Sequence, residues 1–299
     1  MNKAVITGSH GQDGSYLTEL LTDHGYDVVG VDRGDLDLCS RDEVESLLRD
    51  VEPREIYNLA SPSFVPESWE RPDEALRVGA LAVGVLLAAV ARVDPSIRFF
   101  QASSAEVFGA AAEVPQTELT PYRPRSPYAA AKACADSLVA SYRDQLGLHA
   151  SSGILFNHES PRRPMHFLPA KVARGAAAIA AGRETELVLG NLDARRDWGY
   201  APDYVDAMRR IVHHDEPGDY VVATGELHSV RELVELAFSH VRLDWREHVR
   251  IDEALVRGEE RPVVGDATKA RTVLGWAPTV GFEELVRLLV DAAVAQTTS

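Results

Sequence analysis

Two side chains one helical turn apart carry the first chemical signal. Tyr128-Ala129-Ala130-Ala131-Lys132 puts a phenol and an ammonium on one face of a helix. A phenol with a pKa near ~10 is a poor base at neutral pH. A neighbouring ammonium and the positive ring of an oxidised nicotinamide both stabilise its anion. Such a pair can take the proton of an alcohol while hydride leaves the same carbon. Upstream, Ser103-Ser104-Ala105-Glu106 closes an apolar run. The Ser104 hydroxyl can hold the reacting oxygen. Glu106 adds a carboxylate that plain alcohol oxidation does not need, but that removal of a carbon-acid proton beside a ketone does.

The hydride needs an acceptor, and the start of the chain offers a place for one. Gly8, Gly11 and Gly14, with Gln12 and Asp13 between them, follow the first apolar run and open the first helix in a GxxGxxG spacing. Glycine permits the tight turn and close backbone approach, and the helix N-terminus faces a pyrophosphate. Asp32 ends the second apolar run, about 20 residues further on, where a carboxylate accepts from both ribose hydroxyls. It also repels a 2′-phosphate, which favours NAD. Arg33 beside it leaves NADP as the alternative.

These groups need a scaffold, and the periodicity supplies one. Strands are expected at Ala4–Thr7, Asp27–Asp32, Glu55–Leu59, Arg98–Ser103 and Ala150–Phe156, alternating with helices at Gln12–Leu21, Arg41–Leu48, Asp73–Val93 and Pro127–Leu146. That alternation implies an α/β fold: a doubly wound, Rossmann-type parallel sheet with right-handed crossovers. Asn157–Arg163 reads as a loop. Beyond it, short strands at Leu187–Leu189 and Tyr220–Ala223 mix with helices near Pro169–Ala181, Tyr204–Val212, Val230–Ser239, Ala267–Leu274 and Phe282–Ala293. We therefore expect a dinucleotide-binding domain over 1–156, to which segments about 190–225 return, and a small mixed α/β substrate lobe over 157–299.

Composition narrows the partners. The formal net charge of -15 argues against nucleic acid or an anionic membrane as a general partner. No uninterrupted apolar run reaches the ~20 residues that span a bilayer. Cys39 and Cys134 form neither CxxC nor a metal-ligand spacing, so no metal site is expected and a reducing compartment fits. The N-terminus runs directly into a strand pattern without a basic-then-apolar leader, which implies a cytoplasmic protein. Lys3, Lys132, Lys171 and Lys269 are the only lysines, and a retained lysine points to a need for a compact ammonium.

The glycine turn, the serine after the fourth strand and the Tyr–Lys pair together resemble the extended short-chain dehydrogenase/reductase superfamily. More specific runs are similar to the GDP-mannose 4,6-dehydratase family: Gly11–Leu17, Ile56–Ala60, Pro124–Tyr128, Gly153–Arg163, Leu189–Ala194, Arg196–Gly199 and Ala223–Arg231. The resemblance implies a redox elimination that turns GDP-mannose, or a related GDP-sugar, into its 4-keto-6-deoxy derivative on a tightly held and regenerated nicotinamide cofactor. It implies O4 binding by Ser104, general base and acid work by Glu106, C4-hydroxyl deprotonation by Tyr128 and electrostatic support by Lys132. Leu59 and Ala60 fall among its cofactor contacts. Ser63, Asn157, Lys171, Arg196, Arg257 and Glu260 fall where the family holds the nucleotide sugar. Lys171 and Arg196 also suit a pyrophosphate on charge grounds, since the protein is otherwise acidic.

Departures from the family pattern are local. Ser104 stands for a threonine, and Ala105 for a hydroxyl residue. The Ala60–Phe64 and Arg77–Val83 runs differ, and the connection after Asp32 lacks an Arg-rich loop that resembling enzymes use for NADP and tetramer contacts. A 4-epimerase or 4-reductase on the same scaffold is the alternative activity, and a non-catalytic dinucleotide sensor is the alternative of another class. Resembling enzymes dimerise through two helices per subunit. Here Ala80, Leu81, Val83, Leu87 and Ala88 on one helix, with Ala129, Ala133, Leu138 and Val139 on the other, imply a homodimer.

Overall fold

The computed structural model describes residues 2–255 and 262–298. Its centre is a parallel sheet of β1 (Lys3–Thr7), β2 (Asp27–Val31), β3 (Glu55–Asn58), β4 (Arg98–Ala102), β5 (Ala150–Leu155) and β6 (Asp219–Val222), in the order β6-β5-β4-β3-β1-β2. Every neighbouring pair is parallel, and Ile6 aligns with Gly30 on one side and Tyr57 on the other. The strand order reverses between β1 and β3, which opens a crevice at their carboxyl ends. Each expected strand of the sheet is present within two residues of its expected ends.

Side-chain alternation divides the strands between two cores. Val5, Ile56 and Phe99 face α2 (Arg41–Val51), α3 (Pro72–Val93) and α4 (Pro127–Leu146). Ile6, Tyr57 and Phe100 face α1 (Gln12–Asp23) and the helix Ala201–His213. A third cluster joins helices Leu168–Ala180, Val230–His240 and Phe282–Thr298.

The helix Pro72–Val93, 22 residues long, is apolar and long enough to cross a bilayer by composition alone. Its Val83, Leu86, Leu87 and Val90 are buried against the sheet instead, as in the core helix of a folded domain. It contains a π-turn at Arg77–Leu81, where the Gly79 position comes so close to α4 that an added Cβ would lie 3.0 Å from Ala131 Cβ. One expectation needs correction, the loop at Asn157–Arg163. Asn157–Glu159 is a short strand paired in parallel with Trp198–Tyr200. Its buried side chains, His158 and Glu159, are polar, so no apolar alternation announces it.

α4 carries Tyr128 and Lys132, and its start is fixed locally. Ser126 is the N-cap and accepts a 3.1 Å hydrogen bond from Ala129 N, with Pro127 in the first turn. Gly147 closes the helix in the left-handed region, at φ 68°. Ser126→Ala should lower stability by about 1 kcal/mol, measured as a shift in the urea midpoint at constant slope. An unchanged midpoint would mean that tertiary packing alone holds the helix start.

Candidate active site

The glycine turn is shaped for a close ligand. Gly8 has φ +74°, and Gly14 packs so tightly that a Cβ would lie 2.2 Å from Gly8 O. α1 begins with Gly11 as N-cap and has no side-chain cap, so its first amides point into the crevice. At the end of β2, the Asp32 carboxylate accepts from Ser9 Oγ and from His10 N at 3.2 Å. Arg33 pairs with Glu74. Leu59 and Ala60 follow β3, and Ala60 N donates to Thr7 Oγ1 at 3.3 Å. Beneath the crevice, Thr7, Asn58 and Gln101 link the tips of β1, β3 and β4 through hydrogen bonds of 2.6 and 2.7 Å. The side chains of Gln12 and Asp13 turn towards the segment after β5: Ser160 Oγ donates to Gln12 Oε1 at 2.9 Å, and Asp13 Oδ2 meets His158.

The residues expected to react converge on one point. Ser104 follows β4 and caps the short turn Ala105–Val107, accepting from Glu106 N at 3.3 Å. Its hydroxyl also bonds the Tyr128 phenol. Burial pushes that phenol up to about 12; the Ser104 bond pulls it down, the Glu106 charge raises it and Arg163 lowers it. Resting Tyr128 is therefore protonated at neutral pH and needs added positive charge to act as a base. Lys132, 3% exposed, donates to Ala102 O at 2.7 Å, and its ammonium lies 5.7 Å from the Tyr128 ring centre. Burial lowers it to about 8, opposed by Asp136 and Asp13. Glu106 is exposed at this point, and Ala105 is buried beneath it.

The polar residues of the lobe lie on separate elements. Asn157 starts its short strand and donates to Asp197 O at 3.5 Å. Arg196 lies in a two-residue strand paired with His228–Ser229. Lys171, on Leu168–Ala180, donates to Val188 O at 2.8 Å. Ser63 is exposed in the loop after β3. Arg257 and Glu260 lie outside the described residues.

Three groups were not singled out from sequence. Asp136 is buried one turn beyond Lys132 and accepts from Ser103 Oγ and, at 3.1 Å, from Tyr122 Oη. Its i,i+4 spacing from Lys132 is a readable signal. Arg163 meets Glu159 at 3.2 Å and covers the Phe167 ring. His158 faces Asp13. Nothing in the spacing alone separates the last two from surface charges. Among the described residues, no group of three or more His, Cys, Asp or Glu side chains could hold a metal ion.

A parallel sheet with a glycine turn at its switch point, and a Ser–Tyr–Lys set at the end of β4, defines an extended short-chain dehydrogenase/reductase. The sequence narrows this further. Residues 34–289 match the family described as GDP-mannose 4,6 dehydratase, and the chain belongs to that family. It is 42% identical to GDP-mannose 4,6 dehydratase 1 of Arabidopsis thaliana over 320 residues, covering 96% of this chain and 88% of that one. Against the human GDP-mannose 4,6 dehydratase the identity is 41% over 340 residues, covering 98% and 91%. The solved structure of RMD from Pseudomonas aeruginosa complexed with NADPH superposes with a TM-score of 0.90 at 27% identity, covering 99% of this chain and 100% of that one.

The depressed Lys132 sets a test of its burial. An unfolded lysine keeps its proton to about pH 10.4, whereas the folded one gives it up near 8. Between those values the unfolded state binds more protons, so this group's contribution to stability rises with pH. Below pH 8 its full penalty remains. The Tm of wild type relative to Lys132→Met should therefore climb between about pH 8 and pH 10. A pH-independent difference would show that the ammonium is well solvated.

Proposed function

We propose that this protein is a GDP-mannose 4,6-dehydratase, forming the 4-keto-6-deoxy sugar nucleotide by an internal redox elimination. The observation that carries the reaction type is the convergence of Glu106 with Ser104 and Tyr128. Two hydroxyl groups and a buried ammonium suffice for oxidation at C4, and an added exposed carboxylate suits elimination. When bound, the nicotinamide dinucleotide supplies the hydride acceptor and returns the hydride within one turnover. Ser104 holds the C4 oxygen and Tyr128 takes its proton. Lys132 stabilises the phenolate form that accepts this proton. The C4 ketone acidifies C5–H, and Glu106 removes that proton. Glu106 then gives it to the departing C6 hydroxyl, which leaves as water. Hydride reaches C6, and the proton held at Tyr128 returns at C5, restoring the site.

Lys171, Arg196 and Asn157 are proposed to hold the nucleotide diphosphate, with Ser63, Arg257 and Glu260 completing that set. For the cofactor we propose NAD. The tight glycine turn and the uncapped start of α1 fit a dinucleotide pyrophosphate. Asp32 at the end of β2 suits a ribose, and Arg33 is paired with Glu74 instead of standing clear for a 2′-phosphate. Mass spectrometry of the dinucleotide released from native protein decides this, with NAD expected and NADP as the contrary result.

Assembly is proposed to be a homodimer through α3 and α4, on a smaller face than the sequence implied. Val83, Leu87, Ala129 and Val139 are buried within the chain itself, and Ala80 is 7% exposed. Leu81 at 56% and Leu76 at 48% remain exposed on α3, with Ala88, Ala133 and Leu138 partly so. Leu81→Glu should halve the mass measured by light scattering. A monomeric wild type would remove the argument. Cys39 and Cys134 are free, which supports a reducing, cytoplasmic setting.

Glu106→Gln tests the chemistry. It should reduce dehydration by about a hundredfold or more, with sugar-nucleotide binding retained. Wild-type turnover in that variant would rule out the assigned role. Proton NMR of the wild-type product should show a new C6 methyl signal. A 4-epimerase or 4-reductase would leave the C6 hydroxyl in place.

A further inference from the structure

Asp13 and His158 form a pair that the reaction steps leave unused. His158 Nε2 lies 2.9 Å from Asp13 Oδ2, and Nδ1 lies 2.7 Å from Phe156 O. A backbone carbonyl can only accept, so Nδ1 carries a proton. An ionised carboxylate can also only accept, so Nε2 carries one too. The pair thus holds one proton more than a neutral imidazole beside a carboxylate. Gln12 extends the link: its Nε2 donates to His158 O and to Asp13 Oδ1, each at 3.1 Å, while its Oε1 accepts from Ser160 Oγ at 2.9 Å. Two consecutive side chains at the start of α1 are therefore fastened to the segment 156–160, across the mouth of the glycine turn.

We infer that His158 is a positioning residue for the cofactor turn: as an imidazolium it fixes Asp13, and with it the first turn of α1, so that dinucleotide retention depends on its protonation. This rests on the dinucleotide reading of the turn. Four ionisable groups face the imidazole. Asp13 approaches from α1. Glu159 and Arg163 belong to its own segment and pair at 3.2 Å. Tyr204 stacks on it from Ala201–His213 at 4.5 Å and 21°. Burial disfavours the imidazolium, but Asp13 outweighs burial and the opposing Arg163 charge, leaving His158 above its ordinary value. Burial likewise pulls Asp13 up, and His158 with Arg163 holds it below its ordinary value. When the proton leaves, an unprotonated Nε2 confronts a carboxylate in a poorly solvated place, and the link becomes repulsive.

Dissociation constants for added NAD and NADP, measured between about pH 6.5 and pH 9, test this directly, with far-ultraviolet circular dichroism at each pH. Wild-type affinity for the preferred dinucleotide should fall about tenfold or more across that range while the fold stays intact. Asp13→Asn supplies a neutral match: its amide can donate to an unprotonated Nε2 while Oδ1 still accepts from Gln12. Its affinity should be nearly flat with pH. His158→Ala should bind weakly at every pH. A flat wild-type curve, an Asp13→Asn curve as steep as wild type, or an affinity loss that only tracks loss of circular dichroism would each overturn the inference. Failure of either dinucleotide to bind at any pH would overturn the dinucleotide reading itself, which a flat curve would leave standing.

Discussion

Lys132 keeps a cation in an interior where an ion without partners costs several kcal/mol, and its surroundings are arranged around that cost. The ammonium donates to Ala102 O, the last residue of β4. That bond ties α4 to the strand whose end carries Ser103, Ser104 and Glu106, so compensating the charge and aligning the reactive groups are one act. Asp136, a turn further along α4, supplies the opposing charge. Burial raises its carboxyl to about 6, opposed by the Ser103 hydrogen bond. Positions 128, 132 and 136 thus follow one another at single-turn spacing on α4, and the Asp136 charge helps Lys132 keep its proton.

The same economy governs the lobe. The chain carries an acidic surplus, yet several of its carboxylates are internal ties. Asp197 is fully buried and accepts from Thr224 N and Oγ1, Gly225 N and Gly265 N. Asp203 accepts from Thr279 N and Oγ1 and from Val280 N. A carboxylate with several amide and hydroxyl donors organises loops that have few apolar contacts of their own. Asp197 lies between Arg196 and Trp198, whose strand pairs with Asn157–Glu159. The stretch that carries Arg196 and Asn157 is therefore held by buried polar contacts as well as by apolar packing.

What was legible in the sequence follows from this division. The inner strands of the sheet have both faces buried, so apolar runs mark them. α4 was readable to the residue, because Ser126-Pro127 and Gly147 punctuate it. The Tyr128–Lys132 pair and the glycine turn depend on local spacing and were equally visible. Asn157–Glu159 was not, because its buried side chains are polar: His158 meets Asp13, far back along the chain, and Glu159 meets Arg163. The inward turn of Gln12 and Asp13 was hidden for the same reason: residues placed in a ligand turn by spacing alone can have side chains that serve the turn's own anchoring. Which Ala and Val on α3 and α4 stay exposed was not legible either, because composition cannot say which of them the sheet has already covered.

Environment then separates carboxylates that sequence leaves equivalent. Asp136 is enclosed and pushed towards its protonated form. Asp13 is held ionised by His158. Glu106 is exposed beside Ser104, near enough for its charge to raise the phenol of Tyr128. A group that must collect a proton from substrate and hand it to a leaving hydroxyl needs access and freedom to change charge, and both buried carboxylates are committed to partners. Exposure beside Ser104 therefore suits Glu106 to the acid and base role proposed for it. On the proposed reading, the costly part of the site, a buried ammonium beside a phenol, serves oxidation and elimination alike, and the carboxylate that would distinguish them is exposed, where charging it costs less than in the interior.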